Sequence, residues 1–571
     1  MSADVLSIAT QNATLWTSDL FDAETRAEAE TLLKKGGDAL IEPFYKDLDF
    51  GTGGMRGIMG VGTNRINAYT LGLATQGLAS YAQTFFNGKP LKATIAFDSR
   101  NNSKSFARKV AEVLSANGVH TFLFEDLRPT PELSFAVREL GCDFGIVLTA
   151  SHNPKEYNGY KVYWNDGGQL VPPHDSAVIK KVRATRFEDI RWDVNEALIE
   201  TVGTAVDDKY IDMVAGLSLS NVGKTELDIV FTALHGTSIV SVPPALAKAG
   251  FTNVQLVEAQ STPDGNFPTV ASPNPEESAA LAMAVAQAEV TNADLVIGCD
   301  PDTDRVGIAV NDGTGKMQLL NGNDTAALLV HYVLDAYKTN GTLPANGFTA
   351  ATVVTTDLIA DISAAYGVPC YRCLTGFKWI ADIINNKPEE QFLVGGEESY
   401  GYLIGDAVRD KDAVASAVMI AEMAANAKAQ GRTVLQQLEA IHREFGQFQE
   451  RLISITKKGR SGAQEIADMM TALRNDPPKT LAGSPVIMAI DHGKSTQTDL
   501  LTGATSNTEL PASNVLQFIT EAGDKVSARP SGTEPKIKFY FSVRTTTGDS
   551  HAATKAELER KIDTFIEELN L

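Results

Sequence analysis

Ser151 sits in Thr149-Ala150-Ser151-His152-Asn153-Pro154, directly after the apolar run Phe144–Leu148. A hydroxyl, an imidazole and an amide at the end of a buried strand suit a reaction site, and Ser151 is the candidate nucleophile. A serine hydroxyl is weak at neutral pH, so a base, a cation or a metal must assist it. Three acids alternate in Asp300-Pro301-Asp302-Thr303-Asp304-Arg305. Carboxylates this close repel one another unless a cation neutralises them, and hard oxygen ligands without His or Cys point to Mg²⁺. An EF-hand would place Gly and Glu where the chain has Arg305 and Asn311, so that reading fails. An aspartyl-phosphate loop of the DxDx[TV] type would have Thr or Val in place of Asp304; its absence weakens that alternative. In Gly51-Thr52-Gly53-Gly54-Met55-Arg56-Gly57 the glycines would let the backbone approach a ligand closely, and Arg56 suits a phosphate oxygen. A plain turn fits this run equally well. Lys161, on the loop after the serine, either folds back on the site or stays in solvent.

These residues need a scaffold, and the hydrophobic pattern supplies one. Strands are predicted at 91–98, 120–126 and 144–148, with helices at 103–117 and 131–140 between them, a βαβαβ unit with a doubly wound sheet. The alternation restarts near 205, with strands at 227–234, 254–259 and 295–298 and an Ala-rich helix at 275–291. A third round runs from about 323, through strands at 349–356 and 391–398, to the helix at 413–429. After about 447 the pattern becomes less regular, and an alternating strand follows Arg529-Pro530-Ser531-Gly532-Thr533-Glu534-Pro535. The expected fold class is α/β: three similar doubly wound mixed-sheet α/β domains plus a C-terminal α+β domain around a central cleft. Their expected bounds are 1–205, 206–322, 323–446 and 447–571.

A chain of 571 residues is too long for one core. Its net charge of -21 argues against a nucleic-acid partner, but local basic residues can still bind a small anion. Four cysteines are too few for a disulfide scaffold, and Cys370-Tyr-Arg-Cys373 lacks the second pair of a zinc ribbon. There is neither a signal-peptide pattern at the start nor an apolar stretch of membrane-spanning length. The expectation is a reduced, cytoplasmic protein without a membrane partner.

Taken together, these motifs make the chain resemble the α-D-phosphohexomutase superfamily of phosphoglucomutases and phosphomannomutases over essentially its whole length. TASHNP at 149–154, DPDTDR at 300–305, GEESYG at 396–401 and RPSGTEP at 529–535 follow the family's order, and FGTGGMRG at 50–57 and TGFKWI at 375–380 also match. The resemblance implies a resting phosphate on Ser151 and one Mg²⁺ per subunit, held by that phosphoserine with Asp300, Asp302 and Asp304. It implies sugar-hydroxyl contacts from Glu397 and Ser399 and a phosphate grip from Arg529, Ser531, Gly532 and Thr533. Arg56 and Arg305 would stabilise phosphoryl charge, with Thr375 and Lys378 at the sugar or its phosphate. Lys161 is one candidate for proton transfer. Bacterial phosphomannomutases carry a His where this chain has Gly401, whereas Arg409-Asp410-Lys411-Asp412 resembles a run in the longer phosphoglucomutases, making Lys411 the second candidate.

The implied reaction interconverts hexose 1- and 6-phosphates of glucose or mannose through a bisphosphorylated sugar. Glucose 1,6-bisphosphate or a similar compound is the implied activator. A phosphopentomutase-type activity and a non-catalytic sugar-phosphate-binding paralogue are the alternatives. The implied partner is a small sugar phosphate, and the chain is expected to be a monomer or a weak homo-oligomer.

Overall fold

Phe144–Leu148 is a strand buried along its whole length, as an uninterrupted apolar run requires in a sheet covered on both faces. The computed structural model describes residues 3–51, 53–457, 459–531, 536–546, 548 and 550–571. The first sheet has six strands, in the order Gly54–Ile58, Tyr157–Trp164, Phe144–Leu148, Lys92–Phe97, His120–Phe124, Ile199–Val202. Lys92–Phe97 lies between two parallel neighbours. The chain leaves it towards one and returns beside the other, so the loops after Phe97 and Leu148 diverge at a switch point. Asp98 and Ser151 lie in those two loops. One face is covered by helices Ala68–Phe85 and Ser103–Ala116, whose Ala107, Val110, Ala111 and Leu114 fall on one helical stripe. Helix Thr130–Glu139 covers the other.

Two strands of this sheet differ from the sequence expectation. The second half of the glycine-rich run, Gly54–Ile58 with Arg56 in it, is an edge strand paired antiparallel to Tyr157–Trp164, and Gly51 and Gly54 exchange backbone hydrogen bonds at its start. Its glycines serve strand contact. A Cβ on Gly54 would fall 1.8 Å from the Tyr160 carbonyl oxygen, and one on Gly159 would fall 2.5 Å from that of Thr149. Lys161 accordingly lies on a strand rather than on the serine loop, opposite Gly54 in the register.

The second sheet runs Met317–Leu320, Val306–Asn311, Leu295–Cys299, Ile229–Thr232, Val254–Leu256. Leu295–Cys299 and Val306–Asn311 are antiparallel, so the three aspartates occupy the hairpin connection between two buried strands. The Ala-rich helix expected from residue 275 starts at Ser278, because Asn274 first closes a turn by accepting from the backbone N–H of Glu276 and Glu277.

The chain forms two compact units. The first comprises Met1–Asn321, Phe377–Leu393 and Ser399–Gly431. Its last helix, Ala413–Ala429, is buried on nearly all sides and packs on helices Thr204–Gly216 and Val242–Lys248 and on strand Leu295–Cys299. Asp412 caps it by accepting from the N–H groups of Val414 and Ala415. Its one buried acid, Glu422, meets Lys224 at 3.0 Å.

The second unit comprises Gly322–Gly376, Val394–Glu398 and Arg432–Leu571. Strands Gly347–Thr352 and Cys370–Cys373 pair in parallel. Its large antiparallel sheet includes Lys525–Pro530 and Lys536–Thr545, and helices Gly459–Asn475 and His551–Glu568 cover one face. Alternate residues Ile537, Phe539, Phe541 and Val543 pack with Leu558, Ile562 and Phe565. Arg529 and Pro530, expected in a loop, end a strand.

Candidate active site

Ser151 adopts a left-handed backbone conformation, φ 51°, which is uncommon for a residue with a Cβ. Two contacts fix it: its N–H donates to Thr149 Oγ1 at 2.8 Å, and Arg100 holds its carbonyl at 2.6 Å. The turn presents the hydroxyl to the second sheet. Ser151 Oγ donates to Asp300 Oδ2 at 2.8 Å and lies 3.1 Å from His152 Nδ1. Burial and the Arg305 charge push the His152 imidazole down to about 3, so it is neutral at physiological pH.

The acid loop is built with equal care. Asp300 Oδ1 accepts the backbone N–H groups of Asp304 and Arg305 at 3.1 and 3.0 Å. Thr303 is also left-handed, φ 60°, and its hydroxyl lies 2.6 Å from that of Thr237. Thr130 donates to Asp302 through its backbone and its side chain. One carboxylate oxygen from each of Asp300, Asp302 and Asp304 lies within 4.8 Å of the others, and all three residues are buried. Asp302 Oδ1 and Asp304 Oδ1 are buried and accept no hydrogen bond from the described residues. Three hard oxygen donors with unused lone pairs fit a divalent cation of the Mg²⁺ type.

Two lysines converge on this loop. Lys161 Nζ lies 2.7 Å from Asp302 Oδ2 and 3.0 Å from Asp304 Oδ2. Lys411 Nζ lies 3.3 Å from the same Asp304 oxygen and 2.9 Å from Asp410 Oδ1. Burial alone would lower the Lys161 pKa, but Asp302 and Asp304 outweigh it and hold the ammonium above the ordinary lysine value. Burial likewise opposes ionisation of Asp304, and Lys161, Lys411 and Arg305 outweigh it, so its carboxyl is held well below the usual range. Asp302 goes the other way: burial and the Asp304 charge push it up to about 6. Arg305 donates to Glu276 at 2.7 Å, and Arg56, on the edge strand, donates to Asn153 in the serine loop at 3.1 Å.

Ser151, Lys161, Lys411, Arg305, Arg56 and the three aspartates therefore form one cluster in the first unit. Sequence reasoning missed Asp410, whose carboxylate also accepts from the Tyr163 hydroxyl at 2.6 Å and from Gln169 at 2.8 Å. Its position in Arg409–Asp412 was the available signal. Thr130 and Glu276 were missed as well, because a single polar residue at a helix start or in a loop carries no spacing.

The remaining expected residues fall in both units. Lys378 and Ser399 belong to the first unit; Thr375, Glu397, Arg529 and Ser531 belong to the second. Lys378 lies 3.6 Å from Asp175 and donates to the Leu170 carbonyl at 3.4 Å. Glu397 accepts the Gly376 N–H at 2.9 Å. Its neighbour Glu398 accepts from Thr355 at 3.2 Å, and burial together with the Glu397 charge pushes its carboxyl up to about 7. Thr375 Oγ1 is buried and makes no hydrogen bond among the described residues. Arg529 faces Lys538 across the strand pair, and the Ser531 N–H donates to the Lys536 carbonyl at 2.7 Å. Gly532 and Thr533 lie outside the described residues.

Sequence profiles for phosphoglucomutase/phosphomannomutase α/β/α domains I, II and III match residues 47–189, 208–313 and 321–445. A phosphoglucomutase of Staphylococcus epidermidis (strain ATCC 35984) is 38% identical over 525 residues, covering 89% of this chain and 95% of the relative. One from Staphylococcus aureus (strain MRSA252) is 36% identical over 536 residues, covering 90% and 96%. Among solved structures, a phosphoglucomutase/phosphomannomutase family protein from Burkholderia thailandensis superposes with a TM-score of 0.66 at 18% identity, covering 91% of this chain and 97% of that one. The exocytosis-sensitive phosphoprotein pp63/parafusin of Paramecium, a phosphoglucomutase, gives 0.65 at 17% identity, covering 92% and 96%. The two structures bear on the fold, and the staphylococcal relatives carry the relationship through the sequence. The chain belongs to the phosphoglucomutase/phosphomannomutase family of the α-D-phosphohexomutase superfamily and is an intramolecular phosphotransferase.

Proposed function

We propose that the protein interconverts glucose 1-phosphate and glucose 6-phosphate, with Ser151 as the phosphate carrier and a bisphosphorylated sugar as the intermediate. One observation carries this reading: the Ser151 hydroxyl lies 2.8 Å from Asp300, at the edge of a buried three-carboxylate loop served by two lysines. The staphylococcal relatives, named phosphoglucomutases, favour glucose over mannose or ribose. Asp300, Asp302 and Asp304 would hold Mg²⁺, which when bound draws negative charge off the transferring phosphoryl group. Arg56 and Arg305 steady the phosphoryl oxygens. Lys161 and Lys411, poised beside Asp304, serve the sugar hydroxyl that attacks or leaves. Glu397 and Ser399 grip the sugar hydroxyls, assisted by Thr375 and Lys378. Arg529, Ser531, Gly532 and Thr533 grip the phosphate that is not transferring.

The test is turnover of glucose 1-phosphate with Mg²⁺ and glucose 1,6-bisphosphate as activator, against mannose 1-phosphate and ribose 1-phosphate. The expected result is highest kcat/KM on glucose 1-phosphate, loss on EDTA treatment, and loss in Ser151→Ala. Full activity in that variant would remove the phosphoserine route and turn attention to Asp300. A higher kcat/KM on ribose 1-phosphate would make the enzyme a phosphopentomutase.

A further inference from the structure

Gly401 closes the loop Gly396–Gly401 and is buried, yet its own backbone conformation does not call for glycine. What calls for it is a neighbour. A Cβ built on Gly401 would fall 2.1 Å from Lys411 Cδ, 2.6 Å from Cγ and 3.3 Å from Cβ, and these are its three nearest atoms. Real carbon atoms do not approach that closely without displacement. The stem of Lys411 therefore occupies the volume that any side chain at position 401 would need.

The far end of the same lysine is tightly tied. Its ammonium lies 2.9 Å from Asp410 Oδ1, 3.3 Å from Asp304 Oδ2 and 5.5 Å from the centre of the Phe377 ring. The Lys411 N–H donates to the Asp410 carboxylate at 2.8 Å, and the Asp412 N–H donates to the Tyr402 carbonyl at 2.8 Å. The main chain on either side of the lysine is thus fixed, and the stem can yield only by swinging its amine away from the acids.

We infer that Gly401 is a positioning residue: its missing side chain is the clearance through which Lys411 reaches the acid loop. A methyl group at 401 ejects the amine from between Asp410 and Asp304 and leaves both carboxylates without it. The effect on turnover rests on the proposed part of Lys411 in proton transfer. The placement of Lys411 does not.

Two readouts separate these. The first is a double-mutant cycle on the mutase reaction with Gly401→Ala, Lys411→Ala and the pair. General acid–base assistance contributes about 100-fold or more, so each single variant should lose about that much kcat with KM little changed. The pair should be no worse than either, because Lys411→Ala removes the two atoms that a Cβ at 401 would overlap and keeps only the Lys411 Cβ, at 3.3 Å. The second is acylation of Lys411 by an N-hydroxysuccinimide ester, read by peptide mass mapping. Lys411 should be protected in the parent and modified in Gly401→Ala. Parent-like kcat with Lys411 still protected overturns the inference. Additive losses in the pair, or a pair that fails to fold, also overturn it, since glycine would then be needed for another reason. Lys411 exposed at unchanged kcat upholds the clearance and removes Lys411 from the chemistry instead.

Discussion

The guanidinium of Arg100 donates to the carbonyl of Ser151 at 2.6 Å, and it also holds the carbonyls of Asn153, Pro154 and Tyr157. One buried side chain thus supports the whole turn that carries the nucleophile. Asp98, 3.3 Å away, balances its charge, and the Phe267 ring covers it at 5.1 Å.

Replacing Arg100 by Met should cost about 3–5 kcal/mol of stability, because it strands the buried Asp98 carboxylate. Urea titration measures this. Arg100→Lys should recover part of the stability but little of the kcat, since one ammonium cannot span four carbonyls.

The Lys161 ammonium sits on two of the three carboxylates proposed to hold the divalent cation. Lys161→Met should therefore bind Mg²⁺ more tightly than the parent in calorimetric titration, while kcat falls about 100-fold. Asp302→Asn should weaken Mg²⁺ binding and lower kcat. Weaker Mg²⁺ binding by Lys161→Met would show that the lysine supports the cation rather than rivalling it.

In the second unit His442 Nδ1 lies 2.9 Å from His551 Nε2, with the rings stacked. Burial, then the His551 and Lys555 charges, push His442 down to about 4; burial also lowers His551, against the pull of Glu439. The unfolded chain takes up these protons first. Stability is therefore complete above the ordinary histidine value near 6.5 and falls as pH drops from there towards 4. His442 alone accounts for a loss on the order of 3 kcal/mol. Melting temperatures from pH 7.5 to 4 should show the fall, and His442→Gln should flatten it.

Glu422 and Lys224 are both buried and meet at 3.0 Å, and Glu422 also accepts the Leu219 and Ser220 N–H groups. Lys224→Met should destabilise by about 3–5 kcal/mol by leaving the carboxylate unpaired. The double variant Lys224→Met, Glu422→Gln should recover most of that loss in denaturant unfolding, because a neutral amide can still accept those N–H groups.

The strands that carry Ser151 and Asp300 were legible because each is a short apolar run ended by polar residues, a pattern set by burial alone. Strands Gly54–Ile58 and Tyr157–Trp164 were harder to read. Their glycines look like loop signals, yet they exist so that a neighbouring carbonyl can come within reach, and only the pairing reveals that. The acids and the serine could be named from type and spacing, whereas Lys161 stood between two readings and Lys411 was named only through the family resemblance. The support beneath them could not be named. Thr130, Asp410 and the Thr237–Thr303 hydroxyl pair are ordinary residues far apart in the chain, and nothing local distinguishes them from solvated ones.

The first unit is assembled from three separated stretches, and this sets an order on its birth. A nascent chain that has emerged as far as Asn321 already carries Lys224 and the strand leading to Asp300. The helix that packs against that strand, and the glutamate that neutralises that lysine, come only with residues 413–429. The contacts that Lys411 and this helix give the reaction loop and its strand therefore cannot form on the ribosome until all of the second unit's first stretch has been made. Translation paused near residue 376 leaves an open apolar face and an unpaired lysine, the kind of surface that holding chaperones recognise.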